Sequence, residues 1–192
     1  MIGKLESALG YILLLLFSAI PLQSIAFLFG GVTELELVLS FVILTVTAIT
    51  LGTVGIFFSA VTPRTISASV RSYTVALAVT FGIPILLSFP LLDAFTKAVS
   101  GFGSGITISP ILESIFIYVG LVMVSLNPVA TSLVSQQLLV ERQAVGFWTV
   151  TLASDGSSIP IVSPWISFTV FYLVISTILI VIAVRQMRKV EV

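Results

Sequence analysis

The chain has 192 residues, 58% hydrophobic and only 8% charged, with a mean hydropathy of +1.25. A water-soluble globule is about a quarter charged, so too little polar surface exists here to cover one, and an integral membrane protein is expected. Zero net charge gives no electrostatic support to nucleic-acid binding, and the absence of histidine and cysteine removes disulfides, thiol chemistry, the usual zinc ligands and the commonest general base.

In chain order, the first apolar run covers 8–32 and carries Pro21, which removes one helical hydrogen bond and is expected to kink the span. Lys4 ahead of it and Ser24-Ile25-Ala26 within it loosely fit a secretory signal, but the apolar run continues past that site to Val32. The second run, 37–61, holds Thr45, Thr47, Thr50 and Thr53, and the third is 72–92. The last is 165–184. None of the four contains a charged side chain, and each supplies the roughly 20 apolar residues that a membrane crossing needs.

Between the second and third runs, Thr62-Pro63-Arg64-Thr65 through Arg71 interrupts the apolar sequence with a proline, two arginines and small hydroxyl residues. If the four strong runs cross, this turn lies on the same side as both termini. That side then collects Lys4, Arg64, Arg71, Arg185, Arg188 and Lys189, six of the eight basic residues, leaving Lys97 and Arg142 opposite. Excess lysine and arginine marks the cytoplasm, so both termini and the turn are expected there. A fifth crossing would split the basic residues four against four and erase the bias.

The section 93–164 is too apolar for an ordinary loop. Its run 111–126 would extend about 24 Å as a helix, short for a crossing, and is bounded by the glycine-rich 101–105 and by Asn127-Pro128. It is expected to enter the membrane from outside and turn back. The alternative is a full crossing over 111–134 interrupted at Asn127-Pro128. The stretch 129–148, with Gln136, Gln137, Glu141 and Arg142 among Leu and Val, reads as an interfacial helix. Asp155-Gly156-Ser157-Ser158 reads as a turn, and Pro164-Trp165 opens the last span with an aromatic anchor. The expected fold is thus an all-α membrane domain over 1–192, with four spans and a re-entrant or interfacial region before the last, or five crossings in the alternative.

The run Gly55-Ile56-Phe57-Phe58-Ser59, the basic turn, and Ala68 and Tyr73 opening a further span resemble the middle of an ATP-binding-cassette permease of the type-two exporter (ABC-2) family. Gly3-Lys4-Leu5 before a span with Pro21 and a Gly30-Gly31-Val32 exit is similar to that family where its chain leaves the coupling helix. Leu126-Asn127-Pro128 before an amphipathic stretch, and a last span with a basic tail at 185–189, extend the resemblance over nearly the whole chain. Such permeases generally have six spans with re-entrant helices before the last. The four runs here would correspond to the third to sixth, and the first two spans and main coupling helix are missing from the pattern.

The resemblance implies outward transport driven by a cytoplasmic ATPase partner, with a second permease copy or homologue completing a homo- or heterodimer in a prokaryotic inner membrane. Gly3-Lys4 lacks the preceding glycine and following hydroxyl of a phosphate loop, so ATP and magnesium are expected on the partner, and no cofactor, metal or catalytic residue on this chain. ATPase contacts are expected at Gly3, Lys4, Pro63, Arg64 and Arg71, although simple topology anchoring explains the arginines equally well. Thr47, Thr50 and Thr53 share a helix face and are candidates to line the substrate pathway, against the ordinary alternative that each hydroxyl bonds a carbonyl of the preceding turn. Glu113, the one acid inside an apolar run, is a further candidate, unless a shallow entry leaves it near outer water.

Rival functions are weaker or less specific. An ion-coupled carrier normally places charge at the midplane, and the four runs have none. An intramembrane enzyme needs a nucleophile with a base or paired aspartates, yet the chain's only aspartates, Asp93 and Asp155, both fall in loops. A structural or assembly subunit fits the composition equally well.

Overall fold

The computed structural model describes residues 33–82, 109–143, 145–152 and 154–190, together with 10, 11, 13, 14, 17, 18, 20, 21, 24, 25 and 28–31. The described positions from 10 to 28 are helical. Helix α1 spans Glu34–Val61. Its start is fixed by a reciprocal cap: the Thr33 backbone N–H donates to Glu36 Oε2 at 2.7 Å, and the Glu36 N–H donates to Thr33 Oγ1 at 3.3 Å. Two of the donors that a helix leaves orphaned are satisfied in this way, and Glu34 and Glu36 complement the positive end of the dipole. The helix stops where Pro63 forces Thr62 into an extended conformation, φ −108° and ψ 124°.

Helix α2, Thr65–Leu77, follows after only a short bend and continues as a π-helical turn over Ala78–Gly82. Helices α3, Pro110–Ser125, and α4, Pro128–Arg142, each start on a proline, whose missing donor costs nothing in a first turn. Between them the axis bends by 118°. The cause is local: Pro128 drives Asn127 to φ −122° and ψ 124°, so helical backbone cannot run through. Asn127 Oδ1 then caps α4 by accepting from the Ala130 N–H at 2.9 Å.

Strands β1, Phe147–Thr151, and β2, Ser158–Val162, pair antiparallel with Phe147 opposite Val162 and Thr151 opposite Ser158. The connection at 152–157 closes through the Leu152 N–H to Ser157 O, 2.7 Å, and needs a positive φ of 71° at Gly156. Asp155 Oδ1 accepts from both the hydroxyl and the N–H of Ser157, at 2.7 and 2.9 Å, and these bonds hold its carboxyl below the ordinary aspartate range. Helix α5, Pro164–Val190, completes the described chain.

Two described helices, Glu34–Val61 and Pro164–Met187, are long and apolar enough to cross a membrane, and the bent α3–α4 pair would make a third if it were one broken span. These correspond to the expected spans 37–61 and 165–184. The expected spans 8–32 and 72–92 lie partly outside the described residues, as do Asp93, Lys97 and 101–105. Two expectations are corrected. The helix read over 129–148 ends at Arg142, where Gln143 adopts a left-handed φ of 52°, and Trp148 stands in a strand. The domain is therefore mostly helical, not all-α, because β1 and β2 add a hairpin.

The chain packs as two compact units, one of Met1–Ala76 with Thr169–Val192, the other of Leu77–Phe168. In the first, the buried residues of α1 are Glu36, Leu39, Ile43, Val46, Thr50, Thr53 and Val54. Their spacing of three and four marks a single packed stripe. In the second, the Ser125 hydroxyl donates to Pro164 O at 3.3 Å and Tyr118 OH to Pro160 O at 2.8 Å, tying α3 to the hairpin and its exit. The Trp165 indole N–H donates to Val145 O at 2.7 Å.

Candidate functional site

In the first unit, the four threonines of α1 all turn their hydroxyls back onto their own helix. Thr45 donates to Phe41 O, Thr47 to Ile43 O, Thr50 to Val46 O and Thr53 to Thr50 O, at 2.7–2.9 Å. Thr50 and Thr53 are 4% and 2% exposed, while Thr47 is half-buried. Thr50 also meets α5: the single Ser176 hydroxyl proton is shared between Thr50 Oγ1 at 2.9 Å and Tyr172 O at 2.8 Å. The hydroxyl pair thus joins two long apolar helices, the chemistry by which membrane helices associate when no hydrophobic drive separates them from lipid. Replacing both Thr50 by valine and Ser176 by alanine is expected to show a coupling of about 0.6 kcal/mol in a double-mutant unfolding cycle in detergent micelles. Independent, additive effects would show that the contact carries no stability.

The basic turn lies in the same unit. Pro63, Arg64, Thr65, Ile66, Ser67, Val70 and Arg71 form a shallow, open surface at the start of α2. Both arginines are exposed. Arg71 Nη1 donates weakly to Thr62 Oγ1, 3.4 Å away, and neither guanidinium forms an ion pair among the described residues. Behind the turn α2 approaches α1 closely. A Cβ placed on Gly55 would lie 3.5 Å from the Ser72 hydroxyl, and Ala68 is buried. Small residues on the facing surfaces permit this approach. Gly3 and Lys4 lie outside the described residues.

In the second unit, α4 buries Asn127, Thr131, Ser135 and Leu139, four residues apart along one face. Asn127 is fully enclosed and its amide donates to Val79 O at 2.6 Å and Thr80 O at 3.2 Å. Its side chain therefore joins the break between α3 and α4 to the π-helical turn, a motif that recurs at functional sites. Thr131 Oγ1 spans the break by donating to Val124 O at 3.0 Å. The Ser135 hydroxyl, 2% exposed, has no hydrogen-bond partner among the described residues.

Glu113 stands in the first turn of α3, half-buried, and Glu113 Oε2 accepts from the Ser154 N–H at 3.1 Å. Its charge is favourable at a helix N-terminus, and the contact ties that turn to the hairpin connection. Thr47, Thr50, Thr53, Arg64 and Arg71 belong to one unit and Glu113 to the other. In the sequence Asn127-Pro128 marks a break and part of the family resemblance, with no partner expected for the Asn127 side chain. The caps in Thr33-Glu34-Leu35-Glu36 and in Asn127-Pro128 were available signals, since Thr followed by Glu three residues on, and Asn before Pro, both mark helix starts. No family model, curated protein or solved structure matches the chain.

Proposed function

We propose that the chain forms part of the permease of an ATP-driven ABC-2 type exporter, contributing spans to the substrate pathway and coupling to a separate cytoplasmic ATPase. The observation that carries this reading is the 118° break between α3 and α4, immediately ahead of the hairpin and the last long apolar helix. The resemblance implies such a turn-back at that place in the chain. A helix pair bent this sharply leaves backbone groups that lipid cannot satisfy, and here Thr131 bonds across the bend to Val124 O while Asn127, at the bend, accepts from the Ala130 N–H and donates to Val79 O.

On this proposal the turn at Pro63, Arg64 and Arg71 faces the cytoplasm with both termini, and it contributes with Gly3 and Lys4 to the surface that meets the ATPase. The partner binds ATP and magnesium, while this chain holds no cofactor and performs no catalysis. A second permease copy or homologue completes the pathway in a prokaryotic inner membrane, with Thr47, Thr50, Thr53 and Glu113 its candidate lining. Rearrangement of the α1–α5 contact is then required before Thr50 or Thr53 meets cargo, since both are buried.

The complex purified from its native membrane through a tag on this chain tests the proposal. Magnesium-dependent ATP hydrolysis is expected in that complex. Arg64→Glu with Arg71→Glu is expected to reduce it by an order of magnitude or more, because reversal of two interfacial charges costs several kcal/mol. A complex without ATPase activity would favour the structural or assembly subunit.

A further inference from the structure

We propose that Arg64 and Arg71 hold the phosphate of an anionic phospholipid, whose acyl chain lies along an apolar stripe of α2. The stripe is Ile66, Val70, Tyr73 and Leu77, spaced four, three and four residues apart and exposed by 81%, 58%, 71% and 59%. Residues so spaced stack on one helix face. They run about 16 Å along the axis. Ile66 and Val70 border the same open surface as both arginines, so the charged end and the apolar stripe are continuous.

This juxtaposition selects the occupant. Two guanidiniums without acidic partners among the described residues call for an anion, and their planar forks match phosphate oxygens. Thr65 and Ser67 on this surface supply further hydroxyl donors. A free phosphate satisfies the arginines and leaves the stripe uncovered. A neutral lipid covers the stripe and leaves the arginines unpaired. A lipid with a net negative headgroup satisfies both in one molecule, and in the assembled exporter the ATPase surface proposed above would compete with it for the two arginines. The inference rests on the membrane reading above and requires no ATPase.

Because the chain has no cysteine, Ser69→Cys, exposed beside the stripe, carries a single environment-sensitive fluorophore. The full-length protein is reconstituted in phosphatidylcholine vesicles containing either brominated phosphatidylglycerol or brominated phosphatidylcholine as quencher. Phosphatidylglycerol is expected to reach half-quenching at about tenfold lower content, since each arginine near the bilayer surface contributes about fivefold for an anionic lipid, less the cost of ordering two side chains. Arg64→Gln with Arg71→Gln should bring the two lipids within about twofold, while the paired lysine replacements keep most of the preference. A second reporter, Val181→Cys on α5, should read alike in every variant and verifies insertion. If the glutamine variant fails that control, raising salt from about 50 to 500 mM decides on the wild-type chain, where the preference must fall several-fold. Equal quenching by both lipids, a preference indifferent to both the glutamines and salt, or its abolition by millimolar inorganic phosphate would each overturn the proposal. The last result would mark a soluble-anion site.

Discussion

Replacing Asn127 by alanine is expected to destabilise the chain by about 3 kcal/mol, measured by denaturant unfolding in detergent micelles. The effect combines two losses. Removing the cap of α4 costs about 1 kcal/mol. Removing the amide of the fully enclosed Asn127 deprives the part-buried Val79 O and Thr80 O of a donor, and a carbonyl left without its partner costs about 1–3 kcal/mol when buried in a soluble protein, less within a membrane where alternative partners are found. Asn127→Ser should recover about 1 kcal/mol by restoring the cap acceptor alone. Asn127→Asp keeps the cap but turns a carboxylate toward two carbonyl oxygens, so it should be at least as damaging as alanine. A ranking in which aspartate matches wild type would show that the donor side of Asn127 holds nothing together.

Gly55→Leu is the second large expected effect, about 2–3 kcal/mol of destabilisation by the same measurement. A Cβ at Gly55 meets the Ser72 hydroxyl at 3.5 Å, ordinary contact, so Gly55→Ala should be neutral or slightly stabilising through better helix propensity. The further branched carbons of leucine at this half-buried position press on the Ser72 side chain of α2, the one neighbour a Cβ meets among the described residues, and overpacking of this kind costs about 1–3 kcal/mol. The damage should concentrate at the adjoining turn, seen as increased proteolysis near Arg64 and Arg71. A leucine variant as stable as the alanine one would mean that α1 and α2 do not pack closely at Gly55.

Much of the helical frame is written in composition and breakers. The long apolar helices at 37–61 and 165–184 were legible because runs without charge are long and end at proline or basic residues, and the turn at 62–64 because Pro63 restricts Thr62. The hairpin was missed for an identifiable reason. Trp148-Thr149-Val150-Thr151 and Ile159-Pro160-Ile161-Val162 flank Asp155-Gly156, a strand-turn-strand pattern of β-branched residues, but their hydrophobicity blended into a membrane sequence where apolar runs default to helix. The Asn127 side chain carried no expected partner, because its bonds to Val79 and Thr80 cross more than forty residues. No local pattern announces such a contact. The threonines of α1 showed the same limit in reverse: a shared face was visible at 47, 50 and 53, but whether it met lipid, cargo or another helix depended on Ser176 and Tyr172, more than a hundred residues away.

Cysteine accessibility at the two ends of the bent pair tests most directly whether this region turns back. Ile111→Cys and Glu141→Cys, both at exposed positions in a chain without native cysteine, are treated on intact cells with a membrane-impermeant maleimide. Labelling of both from outside is the expected result. Labelling of one from outside and the other only after permeabilisation would contradict it, making α3 and α4 a single broken crossing and removing the observation on which the exporter reading stands.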